Sequence, residues 1–423
     1  MDIFSAYTKI LTEELKPALG CTEPVAIAYA AASAAGALGK PFEKLEVRCS
    51  GNVVKNVKSV TVPNSGGMKG IEAAALLGAL GGKASLHLEV LSAVDDAVRN
   101  KVSSLLGSDV CTVFLAEDVA GLYVSVRALS GDDCSEAVLK ECHDELYSLT
   151  RNGEVLENRT SEESGDDLDA LREQLNLSDI LRYAEEVDVE DIRGPLTRQV
   201  ELNRAIAEEG LRNSYGCSIG KTLKKLYDWD DVRIRARAYA SAGSDARMSG
   251  CSLPVVINSG SGNQGLTVSL PVVEYGEYLD APEDKVLRAL ALSNLTAIHQ
   301  KKYIGPLSAY CGAVSASAGA SAGIAYLMGG GEAEIAKAVS NTLAMVGGIV
   351  CDGAKASCAA KISSSLEAAI LAMEMSLEEK TSFQGGDGLV KDDIEKTIRA
   401  FGKMGKEGMR ETDREILTLM MED

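Results

Sequence analysis

The chain has 423 residues, which is longer than a typical domain and predicts two domains or one large domain with an insertion. Its formal net charge is -19, from 62 acidic and 43 basic residues, and this argues against binding to nucleic acid or to an anionic membrane. A small-molecule substrate or a protein partner remains.

Small residues dominate the apolar composition. Hydrophobic residues make up 46% of the chain, enough for a sizeable core, yet only 4% of residues are aromatic and there are 41 glycines. We therefore expect helices that approach each other closely. The uncharged segment 311–331 is about as long as a membrane span, but its serines and glycines make it too weakly hydrophobic, so we expect a buried helix.

The cysteine content and the first residues bear on the cellular compartment. The N-terminal segment MDIFSAYTKILTEELK carries acidic residues and no uninterrupted apolar run, so it does not resemble a signal peptide. Ten cysteines without such a signal are typical of reduced thiols, and we expect a cytoplasmic protein.

The N-terminal half shows both helical and strand periodicity. Helices are predicted at 4–17, 22–39, 70–80, 135–149 and 166–186, and strands at 44–49, 84–90, 109–115 and 121–129. The successive strands within 109–129 suggest a small antiparallel or mixed sheet. The polar segment 151–167 is expected to be an exposed connection.

The second half is mainly helical. Helices are predicted at 197–214, 231–248, 283–300, 306–328, 332–347, 353–375 and 391–406, with a β-like passage at 252–275. The fold class is therefore α+β, with a mixed α/β domain at 1–194 and a largely helical domain at 195–423. The first helices are expected to pack back toward the second domain.

Three cysteines lie in segments built from Gly, Ala and Ser: Cys311, Cys351 and Cys358. Their spacing does not match the tight CxxC pairs of zinc ribbons or bacterial ferredoxins. Nearby glycines allow Cys351 to lie in a loop that enters a helix containing Cys358, so that the helix N-terminus would favour an anionic cluster or substrate. The alternative is that each cysteine is a small buried hydrophobic residue.

Cys21 in GCTEP stands at the start of the helix predicted from Thr22. A thiol at a helix N-terminus has a lowered pKa, which predicts a thiolate that serves as nucleophile, base or ligand. The alternative is an ordinary turn residue before the helix.

A glycine-rich loop at 259–265, SGSGNQG, satisfies the GxGxxG pattern of dinucleotide-binding proteins. The pattern alone is weak, because β-branched residues and Pro271 follow it instead of a clear helix and no βαβ repeats surround it. A loop whose backbone N–H groups bind a carboxylate, together with Ser259, Ser261 and Asn263, is the better interpretation. An ordinary glycine-rich turn is the alternative.

Polar groups elsewhere are further candidates. In PNSGGMKG at 63–70, Asn64, Ser65 and Lys69 are candidate anchors for an anionic substrate, although a solvated loop explains them equally well, and no Walker spacing implies ATP. Arg247 is a candidate partner for a carboxylate, with a plain ion pair as the alternative. The charged run HQKKY at 299–303 is interpreted as a solvated helix end.

Several of these motifs together resemble one known family. They are GCTEPVAIAYAAA at 20–32, PNSGGMKG at 63–70, SGSGNQG at 259–265, IGPLSAYCGA around Cys311, and GGIVCDGAKASCAAK at 347–361. The chain resembles the L-cysteine desulfidase family, relatives of the iron–sulfur L-serine dehydratase alpha chain. The resemblance implies an oxygen-sensitive [4Fe–4S] cluster held by Cys311, Cys351 and Cys358, with one iron open to the substrate. Cys21 would be the catalytic thiolate or a fourth resting ligand, and both roles stay open.

The resemblance implies the conversion of L-cysteine and water to pyruvate, ammonia and hydrogen sulfide. No motif marks the Schiff-base lysine that a pyridoxal enzyme would use. The alternatives are the same elimination on L-serine, or a non-catalytic cluster-binding or metal-binding sensor. We also expect a homo-oligomer, such as a dimer, that binds neither nucleic acid nor membranes.

Overall fold

The structure is a computed structural model that describes residues 2–119, 121–159 and 165–422. The helices are α1 (Ile3–Glu14), α2 (Thr22–Leu38), α3 (Gly51–Val57), α4 (Gly70–Gly81), α5 (Asp96–Leu105), α6 (Gly165–Glu173), α7 (Leu177–Glu186), α8 (Val189–Arg212), α9 (Ile219–Leu226), α10 (Val232–Met248), α11 (Gly262–Tyr278), α12 (Glu283–Ile304), α13 (Gly312–Leu327), α14 (Glu332–Val346), α15 (Ser357–Leu377), α16 (Ile394–Lys403) and α17 (Arg410–Met421). The strands are β1 (Pro17–Leu19), β2 (Lys44–Ser50), β3 (Cys111–Ala116), β4 (Tyr123–Ser130), β5 (Asp133–Lys140), β6 (Leu146–Arg151), β7 (Glu154–Asn158) and β8 (Pro254–Val256).

A mixed sheet organises the N-terminal half. Its order is β3-β2-β4-β5-β6-β7, and the β2–β3 pair is parallel while the other pairs are antiparallel. Alternate residues of each central strand are buried, so one face carries the core. Helix α2 packs on that face and α4 packs on α2. This arrangement buries the first core.

A second core lies among the helices of the C-terminal half. Helix α13 is at its centre and packs against α11, α12, α14 and α15. Its small side chains permit this, because a Cβ at Gly319 would lie only 2.5 Å from the backbone oxygen of Ser293 in α12. Helix α1 also joins this core, and the antiparallel pair β1–β8 connects the chain of one half to that of the other.

The predicted α+β class is confirmed, with a six-stranded mixed sheet in the first half and a mainly helical second half. The uncharged stretch near Cys311 forms the buried helix α13, as expected. Among the residues that the structure describes, no helix combines the length and the apolar character that a membrane crossing requires.

Two predictions in the sheet region were wrong. The strand predicted at 84–90 is instead the 3-10 segment Ala84–Glu89. Leu88 in this segment and Val90 directly after it are both buried in the first core, so their apolar pattern does not require a strand. The helix predicted at 135–149 is the hairpin β5–β6, in which alternate residues of β5 are buried. Strand pairing outweighs the helical propensity of this sequence.

The β-like passage at 252–275 was also wrong beyond the short strand β8. Residues from Gly262 onward form α11, which contains Pro271 and the β-branched residues as buried core contacts. Packing against α10 and α13 outweighs their low helix propensity. The argument that no helix follows the glycine-rich loop is therefore overturned.

The connection predicted at 151–167 is exposed at 151–158 and half-buried at Arg159, although residues 154–158 form the edge strand β7. Residues 160–164 lie outside the described residues.

Candidate functional site

Two loops of the helical core bring Cys311 and Cys351 together. Cys311 N donates to Ile349 O at 3.0 Å and Cys351 N donates to Ala309 O at 2.6 Å, so the loop before α13 and the loop before α15 run side by side. The two thiols lie within hydrogen-bonding distance of each other. This backbone pairing brings together two cysteines that are forty residues apart in the sequence.

Cys358 completes the group from the first turn of α15, with Cys351 in the preceding loop, as the glycines around them predicted. Its Sγ lies 3.7 Å from the carbonyl oxygen of Gly353, and it is close enough to influence the titration of Cys311. Gly353 has a φ of 99° and a Cβ there would lie 2.5 Å from Lys55 O, so glycine is required for the loop to pass.

Cys21, from the N-terminal half of the chain, lies next to the same group of cysteines. It precedes the first residue of α2, and its apolar contacts form one buried cluster with Val60, Met248 and the partly buried Cys358. The structure therefore unites all four cysteines selected from the sequence, although more than three hundred residues separate the ends of the set.

The thiol of Cys21 is buried beside a carboxylate. The side chain is 1% exposed and its Sγ donates to Glu23 Oε2 at 3.1 Å. Burial and the Glu23 carboxylate raise the pKa of Cys21 well above the usual value, and these effects outweigh the N–H groups at the helix start. These surroundings oppose the thiolate that the position at the helix start favours, and the role of Cys21 stays a prediction.

The candidate cluster ligand Cys351 has lysine neighbours. Lys55, which is 2% exposed, donates from Nζ to Cys351 O at 3.4 Å and pairs with Asp413. Lys361 donates to Val350 O at 2.8 Å. A hydrogen bond from Cys311 and the charge of Lys55 lower the pKa of Cys351, whereas the pairing with Cys351 and burial raise that of Cys311.

The run at 299–303 is not a solvated helix end. His299 is fully buried and its Nε2 lies 2.7 Å from Glu395 Oε2, and Lys301 is also buried. Burial lowers the pKa of Lys301 to about 8, against the opposing effect of Cys351 and Cys311. Tertiary packing covers a segment whose charges suggested exposure.

Arg247 lies beside the GCTEP turn. The guanidinium is 2% exposed, and Nε donates to Gly20 O at 2.8 Å. A Cβ at Gly262 would lie 2.4 Å from this Nε, so the glycine-rich loop passes directly over Arg247. The loop and the arginine thus share one side of the site.

The glycine-rich loop begins α11, with Ser261 at the N-cap position and Ser259 in the left-handed region at φ 48°. Asn263 lies in the first turn, its Nδ2 is 3.7 Å from Met248 Sδ, and its buried Oδ1 has no hydrogen-bond partner among the described residues. Ser259 Oγ donates to Asn258 Oδ1 at 3.0 Å. Asn263 is therefore the member of this loop that the structure links to the Cys21 cluster.

The loop at 63–70 lies against the same turn through its backbone. A Cβ at Gly20 would lie 2.2 Å from Pro63 Cγ. The Asn64 amide donates to the carbonyl oxygens of Leu91 and Val94, Ser65 Oγ donates to Met68 O, and Lys69 is exposed at the start of α4. The substrate contacts of these three residues stay predictions.

Two buried polar residues were missed by the sequence analysis. Glu23 accepts from Cys21 and Thr22 at Oε2 and from Asn56 Nδ2 at Oε1, at 2.9 Å. His143, between β5 and β6, packs its ring against the backbone of Gly260. Glu23 could have been found from its place in GCTEP, whereas His143 was hidden by the wrong helix prediction at 135–149.

The cysteines fit the thiolate-bound cluster implied by the resemblance. Soft thiolate ligands favour iron–sulfur clusters or zinc, and Cys311, Cys351 and Cys358 present such ligands from two helix starts. The cations of Lys55, Lys361 and Lys301 suit an anionic group. A second group, Cys142, Asp144 and Glu145, has ligand atoms within 4.8 Å of one another, but Lys16 already occupies Asp144 at 3.0 Å.

Comparison with known proteins covers almost the whole chain. The model of the serine dehydratase alpha chain family matches residues 85–418. A UPF0597 protein of Lachnoclostridium phytofermentans is 51% identical over 415 residues, which covers 97% of this chain and 98% of the relative. A UPF0597 protein of Desulfitobacterium hafniense is 45% identical, with coverage of 99% and 97%, and one of Treponema denticola is 45% identical, with coverage of 99% and 98%. The matched span of the family model contains the three clustered cysteines, His143 and Arg247.

Proposed function

Because the chain belongs to the serine dehydratase alpha chain family, we propose that it is a carbon–sulfur lyase that converts L-cysteine to pyruvate, ammonia and hydrogen sulfide. The observation that carries the proposal is the convergence of Cys311, Cys351 and Cys358 on a site that also contains Cys21. Cysteines with a purely structural role are not expected to cluster beside a buried arginine and a buried carboxylate.

The three clustered thiolates would hold a [4Fe–4S] cluster. When bound, such a cluster would supply a Lewis acid that makes the substrate sulfur a better leaving group. The chain contributes the charge balance, because Lys55 and Lys361 lie beside Cys351 and stabilise negative charge there.

The substrate carboxylate is assigned to the side of the site formed by Arg247 and the glycine-rich loop. Arg247 supplies a buried positive charge, and the loop at 259–265 supplies the N–H groups at the start of α11 together with Asn263. Ser259 and Ser261 would complete this contact.

Cys21 Sγ is assigned as the atom that takes the Cα proton. Cys21 Sγ donates to Glu23 Oε2, so this proton would have to leave before Cys21 can act as a base. Elimination then leaves aminoacrylate, which tautomerises to an imine and hydrolyses to pyruvate and ammonia.

L-serine is the second candidate substrate, because the matching family is described as the serine dehydratase alpha chain. The elimination would be the same, with water as the leaving group. The same residues would bind the carboxylate, so only the leaving group distinguishes the two activities.

Turnover by anaerobically reconstituted protein tests the proposal. We expect sulfide and pyruvate from L-cysteine in equal amounts, and less pyruvate from L-serine at equal concentration. Faster turnover of L-serine would reassign the substrate, and no product from either amino acid would refute the lyase.

The ligand set is tested by Cys351→Ala. This variant should lose the visible absorption of the reconstituted protein and most of its bound iron, because one of three thiolates is removed. Cys49→Ala is the matched control, since Cys49 is a fully buried cysteine in β2. Equal iron content in the two variants would remove Cys351 from the ligand set.

A further inference from the structure

Glu23 is a buried carboxylate without a cationic partner. It is 8% exposed, and among the described residues no lysine, arginine or histidine nitrogen lies within 4.0 Å of its oxygens; its hydrogen bonds come from the neutral groups of Cys21, Thr22 and Asn56. Burial raises the pKa of Glu23, whereas His143, the Cys21 hydrogen bond and Arg247 lower it, and the lowering prevails. A buried carboxylate is costly unless a positive charge meets it.

His143 faces the same place and also has an unfilled hydrogen-bonding position. Its side chain is 8% exposed, and its buried Nε2 has no hydrogen-bond partner among the residues that the structure describes. The ring is held in place by the glycine-rich loop, because a Cβ at Gly260 would lie 3.2 Å from Nδ1. Burial lowers the pKa of His143, against the opposing effect of Glu23.

We propose that Glu23 and His143 together form the subsite for the α-ammonium group of the substrate, which restricts the site to α-amino acids. The inference rests on the proposed function, because it assigns the second charged group of the same substrate. An ammonium has three donors and one positive charge. Glu23 supplies the opposite charge, and the unpartnered Nε2 of His143 accepts one hydrogen bond.

The placement matches the rest of the site. The carboxylate side is formed by Arg247 and the loop at 259–265, and the loop also supports the His143 ring. Glu23 is two residues from Cys21, so an ammonium bound there places Cα next to Cys21 Sγ.

Binding of two ligands that differ only in the amino group tests the subsite. L-cysteine and 3-mercaptopropionate are titrated calorimetrically, without oxygen, into reconstituted protein carrying Cys21→Ser, which stops turnover and keeps a donor to Glu23. We expect this protein to bind L-cysteine at least about tenfold more tightly, since charge-assisted hydrogen bonds are lost with the amino group. Equal affinity for the two ligands, or no binding of either, would overturn the subsite.

Substitutions then test which residues cause the preference for L-cysteine over 3-mercaptopropionate. Adding Glu23→Gln should weaken L-cysteine binding at least about tenfold and change the affinity for 3-mercaptopropionate less than about threefold. His143→Leu should act in the same direction, and His143→Gln, which retains an acceptor near the position of Nε2, should recover part of the loss. His299→Gln is the matched control, since it changes a buried histidine held by Glu395 and should leave both affinities unchanged.

Binding of 3-mercaptopropionate also reports on folding, because a misfolded variant would lose the ability to bind this ligand as well. Parallel loss of both ligands in a Glu23→Gln protein whose thermal unfolding midpoint is unchanged, or a retained preference for L-cysteine in both Glu23→Gln and His143→Leu, would overturn the proposal. This binding result is independent of turnover. If wild-type protein releases no sulfide but the binding preference for L-cysteine over 3-mercaptopropionate is observed, the proposed lyase activity is refuted and the ammonium subsite is retained.

Discussion

At the scale of single residues, burial decides the chemistry of the site more than position along a helix does. Cys21 stands at a helix start, which by itself favours the thiolate, yet burial and Glu23 favour the thiol. The same competition operates at Asp245, a buried carboxyl on α10 whose Oδ1 has no hydrogen-bond partner among the described residues. Local sequence predicts the dipole of a helix but not the depth of burial.

Asp245→Asn should stabilise the protein at alkaline pH. Burial raises the pKa of Asp245 to about 6, so the folded state binds the proton more tightly than the unfolded state and stability falls as pH rises from about 4 to about 6. The free energy of unfolding of the variant relative to wild type should therefore increase by about 2 to 3 kcal/mol between pH 4 and pH 8. Denaturant unfolding at both pH values measures this, and a pH-independent difference would contradict it.

Gly20→Ala should destabilise the turn that positions Cys21. The residue has a φ of 61° and the added Cβ would meet Pro63 Cγ at 2.2 Å, so conformational strain and overpacking act together, at about 3 kcal/mol. Gly131→Ala is the control, because its φ is 58° and nothing lies within 4 Å of the added Cβ. We expect about 1 kcal/mol there, and equal losses of thermal stability in both variants would exclude the Pro63 contact as the cause.

At the scale of elements, the C-terminal helix α17 supports the cysteine loops from outside. No side chain of α17 is buried, yet it packs on α3, and Asp413 on α17 pairs with Lys55 on α3, which in turn donates to Cys351 O. The contact joins three elements that are distant in sequence. The helix thus stabilises the site through one buried ion pair and little apolar area.

Asp413→Asn should lower stability because it leaves the Lys55 ammonium buried without a counter-ion. The expected loss is about 2 to 4 kcal/mol in the free energy of unfolding. On the same helix, Glu411 pairs with Arg414 and both are largely exposed, so Glu411→Gln should cost less than about 0.5 kcal/mol. Similar unfolding curves for the two variants would show that α17 does not hold Lys55.

At the scale of the whole molecule, the candidate site lies where the two cores meet. The N-terminal half contributes Cys21, Glu23 and His143, and the C-terminal half contributes Arg247 and the clustered cysteines. A group bound there links the stability of both halves. Cytoplasmic location and a homo-oligomer stay predictions, and light scattering would test the latter against the 44.5 kDa mass of one chain.

Removal of the proposed cluster should destabilise the whole protein. Because a bound group stabilises only the folded state, an iron chelator should lower the thermal midpoint of anaerobically reconstituted protein by at least about 5 °C. Cys311→Ala should unfold at the same temperature with and without the chelator. A wild-type midpoint that does not move would argue against a cluster that spans these helices.

The sequence predicted most helices of the second half because their apolar periodicity is long and regular, as in α10, α12 and α14. It failed at 135–149 and 252–275, where residue propensity opposes the structure that pairing and burial impose. The first failure hid His143, and the second hid the helix that follows the glycine-rich loop.

The sequence alone determined which thiols deserve notice, since Cys311, Cys351 and Cys358 lie among Gly, Ala and Ser residues and Cys21 precedes a predicted helix. Only the tertiary structure decided that they meet, that Cys21 is buried against Glu23, and that Glu23 and His143 face the same place. Proximity and desolvation depend on contacts between segments far apart in the chain, and no local pattern encodes them.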